Sequence, residues 1–518
     1  MITRHRPSRI LLIVPLLAAG ALLPALQGCL GARGSEAQED TSPPVPFRVL
    51  IDGNPAEWPA DSALLSDDYY LYVRFSPGEE ITLQGGAETT VVSLDLDDSA
   101  TTGERLAPRP DESGGTNPMG VDLEVVFSPR GRGRDGSPAQ PQAGVAVHRV
   151  SNDGRREPIN HAAAGLVFAP TYAADQYELR LLRSGIGLSG ASAVRARIVA
   201  YDATGATLGW SDPISTVVSA SNVSAWTTDA DLPVRATDEL RVVSLNVEFA
   251  SPMRKPGPFA RLFRALDPDI ILACEWEKVD AQGLVAWFDE HVPTQGGWHA
   301  VTSAGWGVAV VSRYPLDRFG PQRIEPPTIA GEPNRPDART AEIESPAVRF
   351  VGALVNWPGG PIAVGAAHLK CCGSKGTWQD EKRIAEAELI NLAVRDALIS
   401  AQPVARVLGG DLNLVGTRTP LDRLRQGLDA DGSDLEVAQP RVLGDAAMYT
   451  WGRASERFSA GRLDYVCYSG STATVARTFV LDTGSLSDAA LLRAGLDRSD
   501  SSATDHRAVV LDLRVRGD

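Results

Sequence analysis

Carboxylate, amide and imidazole side chains recur in the second half of the sequence, where short apolar runs end or begin. They are Asn246, Glu248, Glu275, His368, Asp411, Asn413, Asp464, Asp505 and His506. Proteins that alternate strands and helices place their sites at strand ends. Hard oxygen donors suit magnesium or manganese, and positioned carboxylates and imidazoles suit proton transfer. We therefore expect these side chains to meet in one site.

The elements that must position these residues begin at Glu239, where apolar runs start to alternate with helical patterns. Strands are predicted over 240–247, 269–274, 308–312, 350–355, 362–367, 404–408, 463–468 and 508–515. The clearest helix is predicted over 380–399. Its apolar face is expected to contain Ile384, Ala387, Leu389, Ala393 and Leu398, and its polar face to start with Glu381, Lys382 and Arg383. The pattern indicates an α/β layered domain over 239–518.

Seven short motifs follow one another along this domain. They are Asn246 after a strand, 268–275, 307–315, His368-Leu369, Gly410 to Asn413, 463–465, and Asp505-His506. Gly-Asp-x-Asn alone is a common turn, but seven motifs in this order are poorly explained by coincidence. Together they resemble the endonuclease/exonuclease/phosphatase superfamily, which includes deoxyribonuclease I. The resemblance covers about 239–513 and implies a deoxyribonuclease I-like α/β sandwich that hydrolyses phosphoric esters.

The same resemblance implies how the residues divide the work. Asn246, Glu248, Glu275 and Asp505 are expected to hold Mg²⁺ or Mn²⁺. Glu248 is the softest of these, because relatives can have aspartate there and a longer side chain could simply face solvent. A strand-end residue such as Asn246 could also serve only to satisfy backbone groups.

Catalytic roles are likewise implied for five residues. Asp411 would take a proton from the attacking water, and Asn413 would hold that water or a phosphoryl oxygen. Asp464 would orient His506 by a hydrogen bond, and His506 and His368 would stabilise the phosphoryl group from two sides. Isolated histidines are more often structural, but both of these lie within matching motifs.

Departures from the superfamily pattern concern the substrate more than the reaction. Lys370 and Lys375 extend the His368 motif, and they either bind an extra phosphate or acidic head group or belong to a solvated loop. Cys274 stands where relatives usually have glutamine, which alters a hydrogen bond behind Glu275 without removing that carboxylate. Adjacent Cys371 and Cys372 are not expected to pair readily with each other.

The first half, over 47–220, has short alternating runs separated by glycine and proline, which predicts an all-β sandwich. Residues 51–53, Trp58 and the strand at 68–73 resemble the opening of family 9 carbohydrate-binding modules. This implies binding of a glycan or surface polymer, and a packing domain without a ligand is the alternative. Residues 221–238 are predicted to be a linker.

An acidic turn in this first half offers oxygen ligands for part of a Ca²⁺ site. It contains Asp95, Asp97, Asp98 and the hydroxyl of Thr102. A solvated acidic turn without an ion is the alternative interpretation.

The N-terminus has the order of an export signal. Arg4, Arg6 and Arg9 precede an apolar run over 10–26, which ends at Cys29. Leu26-Gln27-Gly28-Cys29 resembles a bacterial lipobox, which implies a signal peptide over 1–28, lipidation of Cys29 and a tether over 29–46. An ordinary signal peptide with an incidental cysteine is the alternative. The resemblance places the protein in a bacterial cell envelope, anchored to a membrane and facing the periplasm or exterior.

The charge balance limits the partners. The chain has 518 residues and a formal net charge of −15, and neither half is strongly basic. Tight binding to nucleic acid through many phosphate contacts is therefore not expected. The sequence predicts an exported, divalent-metal-dependent phosphoesterase acting on a phosphodiester or phosphomonoester. The alternative is a glycan-binding surface lipoprotein with an inactive phosphatase-like domain.

Overall fold

The first half of the protein is an all-β sandwich, as the sequence predicted. The computed structural model describes residues 46–107, 118–132, 138–223, 225–303, 307–333 and 347–516. The signal peptide, Cys29 and nearly all of the tether predicted over 29–46 lie outside these residues. The strands of the first half are β1 (Leu64–Ser66), β2 (Tyr70–Phe75), β3 (Thr89–Asp95), β4 (Glu104–Leu106), β5 (Met119–Val121), β6 (Leu123–Phe127), β7 (Arg130–Arg132), β8 (Pro138–Pro141), β9 (Val145–Val150), β10 (Arg156–Ile159), β11 (Val167–Ala169), β12 (Tyr177–Leu182), β13 (Ser192–Tyr201), β14 (Thr207–Trp210) and β15 (Ile214–Val218).

Two antiparallel sheets of this half pack face to face. One has the order β1-β2-β12-β11, and the other has the order β10-β9-β6-β3-β13-β14, with β15 also pairing with β13. Alternate residues of each strand face the partner sheet, so apolar side chains such as Val73, Val92, Val125 and Leu179 form a common core. A short helix, α1 (Arg183–Ile186), follows β12.

The second half is the α/β layered sandwich that the sequence predicted. Its strands are β16 (Leu240–Asn246), β17 (Ile270–Cys274), β18 (His299–Thr302), β19 (Ala309–Ser312), β20 (Leu316–Phe319), β21 (Phe350–Trp357), β22 (Gly360–His368), β23 (Ala405–Asp411), β24 (Glu436–Val437), β25 (Arg441–Val442), β26 (Asp464–Tyr468), β27 (Ala473–Leu481) and β28 (Ala508–Val515). Its helices are α2 (Ser251–Arg254), α3 (Pro256–Leu266), α4 (Ala281–His291), α5 (Trp378–Leu398), α6 (Thr419–Arg425) and α7 (Asp488–Ala494). The predicted strands are all present, with bounds within three residues of those expected.

Two mixed sheets form the layers. One has the order β18-β19-β17-β16-β28-β27-β25, and the other has the order β20-β21-β22-β23-β26-β24. Their inner faces share a core that includes Val242, Leu272, Val364 and Leu511. Helices α3, α4 and α7 cover the outer face of the first sheet, and α5 and α6 cover that of the second. This arrangement brings the ends of both sheets to one edge of the layers.

The predicted apolar face of the long helix α5 is confirmed for Ala387, and Leu389 and Leu398 pack against the same core, but the face was incomplete. The buried face carries Asp380, Arg383 and Glu386 together with Ala387 and Ile390. Arg383, expected on the polar face, has no exposed surface. The reason is that these charged groups bond to the loops that follow β22 and β23, so the helix is partly held by polar contacts rather than by apolar packing alone.

The two halves are joined by a shared apolar cluster. Leu50, Trp58 and Tyr70 of the sandwich pack with Ala447 and Met448 of the second half. The backbone of Ile51 adds hydrogen bonds to Ala446 and Met448, each of 3.0 Å. Arg180 and Asp445 form a buried two-pronged ion pair across the same contact, at 2.5 and 2.6 Å. The halves therefore form one packed body.

The segment predicted as a linker also lies against the second half. Trp226 donates a hydrogen bond from Nε1 to the carbonyl of Gly444, at 2.8 Å, and Thr228 pairs with Leu486 through their backbones. The ring of Trp226 packs against Phe47 and Tyr69 of the sandwich. In the described parts of the chain, helices of the length and apolarity needed to cross a membrane are absent.

Candidate active site

Strand pairing brings the predicted residues to one edge of the two layers. The parallel pair β16–β17 ends at Asn246 and Cys274, directly before Glu275. The parallel pair β22–β23 ends with His368 opposite Asp411, and Asp464 at the start of β26 lies opposite Asp411 on its other side. Because carboxyl ends of parallel strands lie at the same edge of a sheet, these side chains converge.

The turns after these strands have uncommon backbone geometry. Glu275 and Asn413 have φ angles of +63° and +50°, in the left-handed region that residues other than glycine seldom adopt. Gly410, before Asp411, has φ of +137°, and a Cβ there would lie 2.0 Å from the carbonyl oxygen of Ala367. Glycine is therefore required at this position of the Gly-Asp-x-Asn motif, because any side chain would separate β22 from β23.

Glu275, His368 and Asp411 form a compact group of donor atoms. One ligand atom of each lies within 4.8 Å of the others. His368 Nε2 is 3.4 Å from Asp411 Oδ2 and 3.9 Å from Glu275 Oε1. Two carboxylates this close repel each other unless a cation or a proton lies between them. The group therefore fits a divalent cation that prefers oxygen ligands.

Asn246 connects these carboxylates, but through its nitrogen. Its Nδ2 donates to Glu275 Oε1 at 2.9 Å and to Asp411 Oδ2 at 3.1 Å. Its oxygen accepts the backbone N–H of Glu248 at 3.0 Å. Asn246 is thus a hydrogen-bond donor that holds Glu275 and Asp411 together, and its role as a metal ligand stays a prediction.

Glu248 and Asp505, also expected as metal ligands, lie outside the donor group. Arg453 binds the Glu248 carboxylate with both terminal nitrogens, one of them at 2.8 Å. Asp505 Oδ2 accepts a hydrogen bond from Trp451 Nε1 at 3.1 Å. Both side chains still line the cavity above Glu275. These two carboxylates are bound instead by the guanidinium of Arg453 and the indole of Trp451. The sequence did not indicate where these two side chains would lie.

Asp411 is the central carboxylate of the site. Its side chain is buried, and burial raises its pKa to about 7. The nearby charges of Asp464 and Glu275 also raise the pKa, whereas His506 lowers it. A carboxyl with a pKa near neutrality exchanges protons readily at neutral pH. Asn413 lies beside it: its N–H donates to Asp411 Oδ1 at 3.0 Å, and its amide donates to the carbonyl of Leu369 at 3.3 Å.

The pKa values of the two site histidines are shifted in opposite directions. Burial by itself lowers the pKa of His506, but the carboxylates of Asp464 and Asp411 outweigh it and raise the pKa to about 10. His506 Nδ1 is 2.8 Å from Asp464 Oδ2, the contact that the sequence predicted. Burial, together with the positive charges of Arg349, His506 and Lys370, holds the pKa of His368 well below its usual value. His506 is therefore a cation and His368 is neutral.

Lys370 and Lys375 do not line the cavity. Lys375 Nζ donates to the carbonyl of Glu80 at 3.1 Å and lies 3.3 Å from its carboxylate, so it joins the loop to the sandwich. The Lys370 ammonium lies over the ring of Trp378, 5.3 Å from its centre. The substrate-binding role expected for these lysines is thus not supported by their positions, because each already contacts a neighbouring group.

The described cysteines are free thiols. Buried Cys274 donates from Sγ to the carbonyl of Ala367 at 3.4 Å, behind Glu275. Cys371 and Cys372 at the cavity wall are unpaired, as expected for adjacent cysteines, and Cys372 Sγ donates to Cys371 Sγ at 2.9 Å.

Sequence reasoning missed a further set of residues around the site. Trp451, Arg453 and Phe458 belong to the segment before Asp464, and Gln84 and Phe168 come from the sandwich. Trp451 and Arg453 precede the motif at 463–465 by about ten residues, which is only a weak indication that they belong to the site. Nothing in the spacing of Gln84 or Phe168 connects them with residues more than 200 positions further along the chain.

This site and the layered fold define a divalent-metal-dependent hydrolase of phosphoric esters. The model of the Endonuclease/Exonuclease/phosphatase family matches residues 243–506, and the chain belongs to this family. The match includes the donor group and His506.

Several solved structures from different organisms match about half of this chain. The catalytic domain of human nocturnin, with bound sulfate, has 15% identity and a TM-score of 0.33, covering 54% of this chain and 96% of that one. Beta toxin from Staphylococcus aureus has 16% identity and a TM-score of 0.34, covering 52% and 99%. Sphingomyelinase C from Streptomyces griseocarneus has 17% identity and a TM-score of 0.32, covering 53% and 99%. Among curated protein sequences, none matches.

Proposed function

We propose that the protein is an exported phosphoesterase that uses Mg²⁺ or Mn²⁺ and hydrolyses a phosphodiester or phosphomonoester by in-line attack of water. The observation that carries this proposal is the convergence of Glu275, His368, Asp411, Asp464 and His506 at one edge of the two sheets. A phosphoester resists attack because its oxygens are negatively charged, so a hydrolase must neutralise that charge and position the water.

Glu275 would hold the metal, with Asp411 and His368 beside it, and Asn246 donates a hydrogen bond to each of the two carboxylates. When bound, a divalent cation neutralises phosphoryl charge and makes a water more acidic. Carboxylate oxygens favour Mg²⁺ or Mn²⁺ over softer metals. The acidic turn in the sandwich remains a separate, predicted Ca²⁺ site.

The protein's own groups supply the proton transfer. Asp411 takes a proton from the attacking water, because its pKa of about 7 lets it act as a base at neutral pH. The water oxygen forms a bond to phosphorus as the bond to the leaving oxygen breaks. Cationic His506, held by Asp464, donates a hydrogen bond to the phosphoryl group, and Asn413 restrains the turn that carries Asp411.

The roles of Asp411 and His506 can be tested with bis-p-nitrophenyl phosphate in the presence of Mg²⁺ or Mn²⁺. Asp411→Asn and His506→Ala are each expected to lower kcat by at least about a hundredfold, the usual effect of removing a positioned base or charge. Removal of the metal with EDTA is expected to abolish turnover. Asp396→Asn, which removes an exposed carboxylate on α5, is the control and should retain full activity. Wild-type rates in the Asp411 and His506 variants would contradict the proposal.

Export and anchoring rest on the sequence of residues 1–29. Arginines, an apolar run and Cys29 in this order support a lipoprotein signal. We expect the protein in the membrane fraction of a bacterial host and Cys29→Ser in the soluble fraction. Equal distribution of both proteins would contradict lipid anchoring while leaving the enzymatic proposal untouched.

A further inference from the structure

The cavity above the catalytic residues is enclosed by both halves of the protein. It has a volume of about 480 Å³, within the usual range for small-molecule sites. Glu275, His368, Asp411 and His506 line it on the side of the second half. The sandwich contributes Thr82, Gln84, Gly85, Ala143, Phe168 and Thr171 to the opposite side.

The wall formed by the sandwich is fixed by hydrogen bonds to the segment that carries Trp451 and Phe458. The backbone N–H of Ser459 donates to Gln84 Oε1 at 3.0 Å. The N–H of Val145 donates to the carbonyl of Arg457 at 2.8 Å, and Thr171 Oγ1 donates to the carbonyl of Arg462 at 2.7 Å. The sandwich therefore holds the chain immediately before Asp464 in place.

A second contact closes the wall near the His368 loop. A Cβ at Gly85 would lie only 2.6 Å from the Cβ of Ser374, so the two backbones approach closely. The backbone N–H of Lys375 donates to Thr82 Oγ1 at 3.1 Å. Both ends of the wall are thus attached to loops that also carry site residues.

The lining beside the catalytic residues is rich in aromatic rings. Phe249, Trp451 and Phe458 come from the second half, whereas the ring of Phe168 is 2% exposed and packs in the core of the sandwich. Phe249 is 51% exposed, although it is a large apolar side chain next to Glu248. This ring also lines the cavity. Aromatic rings in such a position bind apolar or planar groups of a ligand.

We propose that the sandwich is part of the active site, where it completes a pocket for an apolar, ring-containing group of a small phosphoester. This inference rests on the proposed function, because the ring lies beside the phosphoryl group that Asp411 and His506 act on. The pocket favours compact esters of aromatic or similarly planar alcohols. A long duplex nucleic acid does not fit a cavity closed on this side by Gln84 and Ala143.

Binding of two phosphonates that differ only in the organic group tests the pocket. Phenylphosphonate and methylphosphonate are titrated calorimetrically into the full chain with Mn²⁺. We expect phenylphosphonate to bind at least about tenfold more tightly, since only its ring enters the apolar side of the cavity. Ala143→Trp fills the sandwich side, and it should reduce this ratio to within about twofold while leaving methylphosphonate binding nearly unchanged.

Two further variants complete the design. Ala163→Trp adds the same bulk at an exposed position of the sandwich outside the cavity, and it should keep the wild-type ratio. Phe458→Ala removes a lining ring without adding bulk, and it should lower the ratio even if Ala143→Trp does not fold. The pocket proposal would be overturned by equal affinity of the wild type for both phosphonates. It would also be overturned by an unchanged ratio of the two affinities in a folded Ala143→Trp or in Phe458→Ala.

Hydrolysis of bis-p-nitrophenyl phosphate is measured on the same samples to separate the two proposals. A wild type that prefers phenylphosphonate but does not hydrolyse the ester contradicts the proposed function and leaves the pocket standing. A wild type that hydrolyses the ester but binds both phosphonates equally, or neither of them, overturns the pocket and leaves the proposed function standing. Loss of both binding and hydrolysis overturns both.

Discussion

Burial disfavours the charged forms of Asp411 and His506; it sets the direction of the pKa shift at Asp411, whereas neighbouring carboxylates outweigh it at His506. Asp411 becomes a weaker acid with a pKa of about 7, whereas His506 becomes a stronger base with a pKa of about 10. The two groups lie close enough for a proton-accepting carboxyl and a cationic imidazole to serve one phosphoryl group, with 3.7 Å between Asp411 Oδ2 and His506 Nε2.

A second acidic group lies in the sandwich and differs from the one expected. Asp95 and Asp97 meet Asp122, and not Asp98, which instead lies 3.7 Å from Arg195. Burial, with the charges of Asp97 and Asp95, raises the pKa of Asp122 to about 6. The spacing of 95–98 could not reveal Asp122, because it comes from the neighbouring strand segment more than twenty residues later.

Asp122 is expected to make stability depend on pH. Its pKa is higher in the folded protein than in the unfolded chain, so folding favours the protonated form. Its contribution to the free energy of unfolding is fully present below about pH 4 and is lost as the pH rises through 6. Asp122→Asn should therefore raise that free energy by about 1 kcal/mol at pH 7.5, a value reduced for the half-exposed site, and change it little at pH 4.

Urea denaturation in EDTA at both pH values measures this effect. Asp61→Asn, at an exposed position of the same half, serves as the control and should show no such pH-dependent gain. A gain of equal size at both pH values in Asp122→Asn would contradict the assignment. Added Ca²⁺ should stabilise the wild type more than Asp122→Asn if the group binds this ion.

At the scale of single elements, helix α5 links the two loops that follow β22 and β23. Arg383 donates to the carbonyls of Lys370 and Cys372 at 2.9 and 2.6 Å. Asp380, 3.2 Å from Arg383, accepts the N–H of Thr417 at 2.9 Å. The helix thus holds the segments behind His368 and Asn413 through one buried ion pair.

Arg383→Met is expected to lower the free energy of unfolding by about 3 kcal/mol, because the carboxylate of Asp380 would remain buried without its partner. We also expect kcat to fall, since the loop after His368 loses two of its hydrogen bonds. The double variant Arg383→Met/Asp380→Leu should recover much of the stability but not kcat. Chemical denaturation and ester hydrolysis measure the two effects, and full recovery of kcat in the double variant would show that Arg383 has no positioning role.

The elements that could be predicted are those whose signals are local. Alternating apolar residues indicated the strands, and ordered motifs indicated which strand ends carry Asn246, Glu275, Asp411 and Asp464. The charged part of the buried face of α5 could not be predicted, because Asp380 and Arg383 resemble a solvated face. Arg453 lies 205 residues from its partner Glu248, and no spacing connects them.

At the scale of the whole molecule, the halves share a core and one cavity. The sequence predicted two domains and a linker but not how the domains meet, since Gln84 and Ser459 are 375 residues apart. The carbohydrate-binding resemblance of the sandwich remains a prediction. Trp58, which carried it, is buried and donates from Nε1 to Glu178 at 2.8 Å.

The buried pair Arg180–Asp445 is expected to stabilise the contact between the halves. Arg180→Met leaves the Asp445 carboxylate unpaired, so the free energy of unfolding should fall by about 3 to 5 kcal/mol. Arg180→Met/Asp445→Leu should regain a large part of that loss. Arg155→Met, which breaks an exposed pair with Glu157, is the control and should have little effect. Fluorescence-monitored denaturation measures these changes, and an unaltered Arg180→Met would contradict the role of the pair.

The apolar cluster between the halves bears on how this enzyme can be dissected. A fragment that starts near residue 239 would retain Glu275, Asp411, Asp464 and His506, yet it would expose Ala447 and Met448, which Leu50 and Trp58 normally cover. Truncation at the apparent domain boundary would then yield an insoluble or misfolded polypeptide. The inactivity of such a fragment would result from the loss of the sandwich that covers it, and not from the loss of a catalytic residue.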